Sequence, residues 1–152
     1  ERLHAAVLCA TSSYMGPANL WQQRIDAARA GGMQSISDGT LERWFTPGYH
    51  DTHLSEISKI REMIHATPVD GFAGCCIAIK DMDQRETIKT IDLPVLVIAG
   101  AEDPGTTPAM NKLIADSIPG AEYIELPASA HFCNVQAADG FNATLTDFLL
   151  KH

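Results

Sequence analysis

The sequence predicts an α/β fold: a short parallel sheet with a block of helices inserted into it. Three observations carry this. Apolar runs of strand length stand at 3–10 (LHAAVLCA), 95–100 (VLVIAG) and 121–127 (AEYIELP). The last two alternate with helix-like segments, which implies parallel strands covered on both faces. Between the first two, residues 17–80 hold helical periodicity and no strand-like run.

The elements follow in order. LHAAVLCA has the continuous apolar character of a buried parallel strand, and Thr11, Ser12, Ser13 and Gly16-Pro17 break it. Leu20, Trp21, Ile25 and Ala28 then recur near 3.6 residues, until Gly31-Gly32 stops that helix. A second helix is expected from Met33 to Phe45, ending before Pro47. A third is expected from His50 to His65, with Leu54, Ile57, Ile60 and Ile64 on one face. Pro68 and Asp70-Gly71 interrupt, and a fourth is expected from Phe72 to Ile79. VLVIAG is a fully buried strand by its pattern, and AEDPGTTP (101–108) is a loop. A helix at 108–118 presents Met110, Leu113, Ile114 and Ile118. The strand 121–127 leads into a loop at 128–134. A closing helix carries Phe141, Leu145, Phe148 and Leu149. The expected division is 1–16 for a core strand and its exit loop, 17–80 for the helical insertion, and 81–152 for the rest of the core.

Composition narrows the function. The chain has 152 residues, of which 45% are hydrophobic, enough for one core. The formal net charge of −8 argues against a nucleic-acid binder, because phosphate contact needs a basic face. A small anionic substrate is still open, since one or two arginines would hold it. No apolar run reaches the length of a membrane span, and no signal peptide opens the chain. The four cysteines, Cys9, Cys75, Cys76 and Cys133, form no C-x-x-C pair. They are expected as reduced, mostly buried thiols of a cytoplasmic protein. His50 and His53 could share a helix face, but no third ligand accompanies them, so no metal site is expected. The chain opens on Glu1 and runs almost at once into a strand, which reads as a cut start.

The chemistry-bearing residues are Asp103 and His131. In open α/β sheets, sites form beyond the carboxyl ends of the strands. Asp103 lies five residues past Ile98 and His131 five past Leu126. Neighbouring parallel strands would set these loops side by side. A carboxylate on one ring nitrogen fixes the histidine tautomer, and the other nitrogen can then take a proton from a serine. Asp103-Pro104-Gly105 also has ordinary turn chemistry, and a loop histidine can be a plain surface residue. The nucleophile is absent: no serine stands in G-x-S-x-G. Cys75 and Cys76 follow glycines but no strand, so a buried helix position is the stronger reading for them.

The segments LPVLVIAGAEDPGTTP (93–108) and ASAHFCNVQAADGFNATLTDFL (128–149) resemble the closing part of the 3-oxoadipate enol-lactonases, within the α/β-hydrolase superfamily. LWQQRI (20–25), LERWF (41–45) and DGFAGCCIAI (70–79) resemble the helical cap of that family. VLCATSS (7–13) resembles its sixth strand and exit loop. The resemblance covers nearly the whole chain. It implies strands six to eight of an eight-stranded core, with the cap inserted between six and seven. It implies a cofactor-free serine hydrolase of bacterial aromatic catabolism, acting on a small anionic enol-lactone. Asp103 would be the triad acid and His131 the base. The serine and the oxyanion hole would lie upstream, on the same or a separate polypeptide. The chain departs from the family at Cys133-Asn134-Val135-Gln136, where Ser-Asn-Val-Glu is frequent.

Cap residues are candidates for substrate contact. Trp21 and Arg24 lie three apart, and Arg43 and Trp44 close the next helical stretch. Arginine binds carboxylates in bidentate fashion, so Arg24 or Arg43 would take the substrate carboxylate, with Trp21 as a wall and Trp44 as a further candidate contact. The same residues fit equally well as cap core and surface. Two other readings stay open. One is a non-catalytic interaction module built from hydrolase parts. The other is a hydrolase of the same fold acting on another ester or halide. The first strand would present an unpaired edge, which a companion half or self-association would cover.

Overall fold

The computed structural model describes residues 2–152. Glu1, with which the expected first segment 1–16 opens, lies outside them. The described residues form three strands, β1 (Ala6–Cys9), β2 (Val95–Gly100) and β3 (Glu122–Leu126). Eight α-helices accompany them: α1 (Ala18–Gly31), α2 (Gln34–Trp44), α3 (Pro47–Thr52), α4 (Leu54–Ala66), α5 (Val69–Asp81), α6 (Pro108–Ser117), α7 (Cys133–Gln136) and α8 (Ala138–Lys151). The chain divides into two compact units. One holds residues 2–13, 43–46 and 84–152, and the other holds 14–42 and 47–83.

The first unit is built on the sheet, in the order β1-β2-β3 with both pairs parallel. Central β2 is buried along its whole length. Its continuous apolar run hides a period of two, because successive side chains leave a strand on opposite faces. Val95 and Val97 pack with Ile114 and Ala115 of α6 and with Ile118, which caps its end, together with Ile88. Leu96 and Ile98 pack with Leu126, Cys133 and Phe148, the last from α8. β1 obeys the same alternation: Ala6 and Leu8 join the α6 cluster, and Ala5, Val7 and Cys9 the α8 cluster. A sheet covered on both faces explains why VLVIAG has no polar positions. Thr107 caps α6, its hydroxyl accepting from the Met110 N–H, and Pro108 opens the helix where its missing N–H costs nothing.

The second unit is helical. Ile25 of α1 packs with Ala73 and Cys76 of α5, and Trp21 and Phe72 flank them. Tyr14 and Asp83 form an antiparallel bridge where the unit's ends meet. His65 Nε2 on α4 lies 3.0 Å from the buried Ser37 hydroxyl on α2, and Arg61 pairs with Asp38 between the same helices.

Several boundaries differ from the sequence expectation. The expected helix at His50–His65 is two helices, broken at His53, whose backbone is non-helical (φ −126°, ψ 46°). Tyr49 stacks on the His53 ring at 3.9 Å, while His50 Nε2 meets the Leu41 carbonyl at 3.0 Å. Asp70-Gly71 does not interrupt α5 but lies in its first turn. An aspartate there complements the positive end of the helix dipole, and Pro68 is the residue that sets the start. A 3-10 helix at Thr87–Thr90 and the short α7 are not visible in the periodicity. Leu20, Leu54, Leu113 and Leu149, each expected on a buried stripe, are exposed, so the stripes are narrower than the pattern suggested. Cys75 is exposed and Cys9 half-buried, leaving Cys76 and Cys133 as the buried thiols.

The sheet core sets the stability of the first unit. Ile98→Ala, at a fully buried side chain, is expected to cost about 2–5 kcal/mol in urea denaturation. Leu150→Ala, at a side chain 82% exposed, is expected to change stability by less than about 0.5 kcal/mol. Equal losses would contradict this placement of the core.

Candidate active site

β2 and β3 are neighbours, so their exit loops leave the same end of the sheet side by side. The Ala101 N–H donates to the Leu126 carbonyl at 3.0 Å, and the Glu102 N–H to the Ser129 carbonyl at 2.9 Å. The approach is close enough to require glycine at the end of β2. A Cβ on Gly100 would stand 2.1 Å from the Ala130 oxygen and 2.7 Å from the Ser129 oxygen. The second loop turns at Ala128, whose φ of 50° is left-handed. A non-glycine residue there costs about 1–2 kcal/mol, and the surrounding bonds must hold it.

Asp103 enters from the first loop. Its Oδ1 accepts from the Gly105 N–H at 2.8 Å and the Thr106 N–H at 3.0 Å, the turn chemistry that Asp-Pro-Gly predicts. Its Oδ2 accepts from the Thr106 hydroxyl at 2.6 Å and faces His131 Nδ1 at 2.8 Å. Thr106 Oγ1 also lies 3.2 Å from that nitrogen. The Asp103 side chain is fully buried and that of His131 is 30% exposed. Burial pushes the Asp103 carboxyl up. The hydrogen bonds from His131, the Thr106 hydroxyl and the Thr106 and Gly105 amides outweigh it and hold the pKa below the ordinary 3.8. An ionised carboxylate only accepts, so Nδ1 carries the proton and Nε2 is left as the basic nitrogen.

The acid loop has a further support. Asn111 of α6 is fully buried. Its Nδ2 donates to the carbonyls of Thr106 (2.8 Å) and Thr107 (3.1 Å), and its Oδ1 accepts from the Thr11 N–H at 3.0 Å. It therefore fastens the loop of Asp103 to the loop that leaves β1. Cys133, two residues past the histidine, is buried with its Sγ 3.5 Å from that of Cys9.

Of the four cap candidates, the structure brings Trp44 to the pair. Its ring stacks on His131 (centroids 6.2 Å apart, planes at 26°) and on Phe132 (4.3 Å, 15°). Arg43 is half-buried in the last turn of α2, one residue before it. Trp21 and Arg24 lie in the helical unit and stack on each other, with the guanidinium carbon 5.0 Å from the indole centroid. The Trp21 indole N–H donates to the Met15 carbonyl at 2.7 Å. Sequence reasoning missed Gly100, Thr106 and Asn111, and met Gln136 only as a departure from the family pattern. Only Thr106 had a visible signal, as a hydroxyl three residues after an Asp-Pro-Gly turn. Among the described residues, no three His, Cys, Asp or Glu side chains come together to hold a metal ion, and no helix is long and apolar enough to cross a membrane.

No protein-family profile matches the sequence. The chain superposes on the enol-lactonase from Burkholderia xenovorans LB400 with a TM-score of 0.95 and 36% identity, over 98% of this chain and 57% of that one. MGS-M2, an α/β-hydrolase enzyme from a Medee basin deep-sea metagenome library, shares the fold at a TM-score of 0.84 and 19% identity, over 94% and 55%. The chain has the α/β-hydrolase fold. Among curated proteins it is similar to 3-oxoadipate enol-lactonase 2 of Acinetobacter baylyi, 34% identical over 93% of this chain and 53% of the relative. The chain thus spans about half the length of the curated relatives it matches. Its three parallel strands and eight helices are consistent with the C-terminal part of the fold.

The lowered pKa of Asp103 has a sign that can be checked. Its stabilisation is complete above the unfolded pKa and is lost as pH falls through the lower native value. The stability gap between the unsubstituted chain and Asp103→Asn is therefore expected to shrink between about pH 5 and pH 2. Urea denaturation at both pH values measures it, and a constant gap would refute the assignment.

Proposed function

We propose that this chain supplies the acid and the base of a serine hydrolase that opens a small anionic enol-lactone, 3-oxoadipate enol-lactone, to 3-oxoadipate. The Asp103 Oδ2···His131 Nδ1 contact of 2.8 Å carries the reading. The similarity to enol-lactonases supports the substrate class. The serine and the oxyanion hole belong to a segment upstream of this chain, on the same or a companion polypeptide. The 152-residue chain by itself is inactive. The reaction needs no cofactor and belongs in the cytoplasm. A companion half, or a second copy, would cover the outer edge of β1.

His131 Nε2 takes the serine proton as the oxygen attacks the lactone carbonyl. Asp103 keeps the ring in the tautomer that makes this possible and steadies the imidazolium. As the ring C–O bond breaks, the imidazolium returns its proton to the departing enol oxygen. Water then attacks the acyl-enzyme, using the same nitrogen as base. Trp44 walls the base on one side. Arg43 or Arg24 takes the substrate carboxylate, with Trp21 stacked on Arg24.

In the whole protein, His131→Ala is expected to lower kcat/KM on the enol-lactone by about 10,000- to 1,000,000-fold. A fluorophosphonate adduct, read by intact mass, is expected outside the 152 residues. Full activity of the variant, or an adduct on this chain, would overturn the proposal. Hydrolysis of simple esters with none of the lactone would keep the chemistry and discard the substrate. Arg24→Ala and Arg43→Ala test the carboxylate contact, and an unchanged KM in both removes it.

A further inference from the structure

The base is held by more than its carboxylate. Gln136 ends α7, five residues past His131, and its side-chain amide uses every bond it can form. Oε1 accepts from the Ala130 N–H at 3.2 Å and the Thr46 N–H at 3.3 Å. Nε2 donates to the Ala128 carbonyl at 3.1 Å and to Thr46 Oγ1. Two donors meet one oxygen and two acceptors meet one nitrogen, so the reversed amide would set like against like at both ends.

These partners flank His131 on two sides. Ala128 and Ala130 form the backbone that leads into the base, and Ala128 is the residue held at a positive φ. Thr46 follows the segment that carries Trp44. The Trp44 carbonyl accepts from the Phe132 N–H at 2.9 Å, and its ring stacks on His131. One side chain therefore ties the strained approach to the base and the wall beside it to a single point. A carboxylate at position 136 would keep both accepted bonds but would turn an oxygen against the Ala128 carbonyl.

We propose that Gln136 is a positioning residue for His131, fixing the 128–131 backbone and the 43–46 segment so that Nδ1 stays on Asp103. Its bearing on catalysis rests on the hydrolase reading above, whereas its bearing on the Asp103–His131 bond does not.

The test follows the His131 Nδ1 proton by NMR in the 152-residue chain, with His131→Ala identifying the resonance. In Gln136→Ala, exchange of this proton with water is expected to quicken by about tenfold or more, as local opening becomes easier. Gln136→Glu is expected to fall between the two. Ile118→Val serves as control, since it loosens the core on the α6 face of the sheet and touches neither loop. Unchanged exchange in Gln136→Ala overturns the proposal. So does equal quickening in Gln136→Ala and the control at matched stability. A missing resonance in the unsubstituted chain removes the Asp103–His131 bond and the proposal with it. In the whole protein, kcat of Gln136→Ala is expected to fall about 10- to 100-fold. A whole protein that hydrolyses no ester, beside the expected NMR result, overturns the hydrolase reading and leaves the positioning role standing.

Discussion

A carboxylate with no exposed surface must be surrounded by donors, because burying an unpaired charge costs several kcal/mol. Asp103 meets that demand with two backbone amides, a threonine hydroxyl and the His131 ring. Each donor constrains something else. The amides need the 103–106 turn, the hydroxyl needs Thr106 buried, and the ring needs the second loop within reach. That reach needs a glycine at the end of β2, where a Cβ would strike the Ala130 oxygen. Asn111 then holds the back of the turn. The geometry of the pair is the solution to a solvation problem, and the basic Nε2 is its by-product.

Much of the scaffold was legible because apolar periodicity is a local signal. VLVIAG read as a buried parallel strand, and every residue of it is buried. The five-residue offsets from Ile98 and Leu126 placed Asp103 and His131 beyond strand ends, where sites form. What was hidden depends on partners distant in sequence. Gly100 reads as the end of a strand, and nothing nearby says that Ala130 will press on it. Gln136 stood out only as a departure from the Ser-Asn-Val-Glu frequent in the resembled family, and its partners include Thr46, ninety positions away. The break at His53 was hidden for another reason. The apolar spacing runs straight through it, so the pattern asks for one helix where the backbone makes two.

The helical segment 17–80 looked uniform in sequence, yet its residues divide in the fold. Residues 43–46 group with the sheet and the rest with the other helices. The two tryptophans share that division. Trp21 lends its face to Arg24 and its N–H to Met15, which stabilises a helix start. Trp44 lies against His131 and Phe132, which bears on the base directly. An aromatic spaced like a cap residue can thus serve either unit, and only the contact tells which.

This division limits how the site can vary. The acid loop is fastened by Asn111 to the exit of β1, and the base loop by Gln136 to Thr46. Both anchors are uncharged amides that satisfy backbone groups, so neither adds a charge near Asp103. That matters because the carboxylate is held ionised by neutral donors and one imidazole. Amides at both anchors fasten the two loops through backbone groups and leave Asp103 Oδ2 to the Thr106 hydroxyl and the His131 ring.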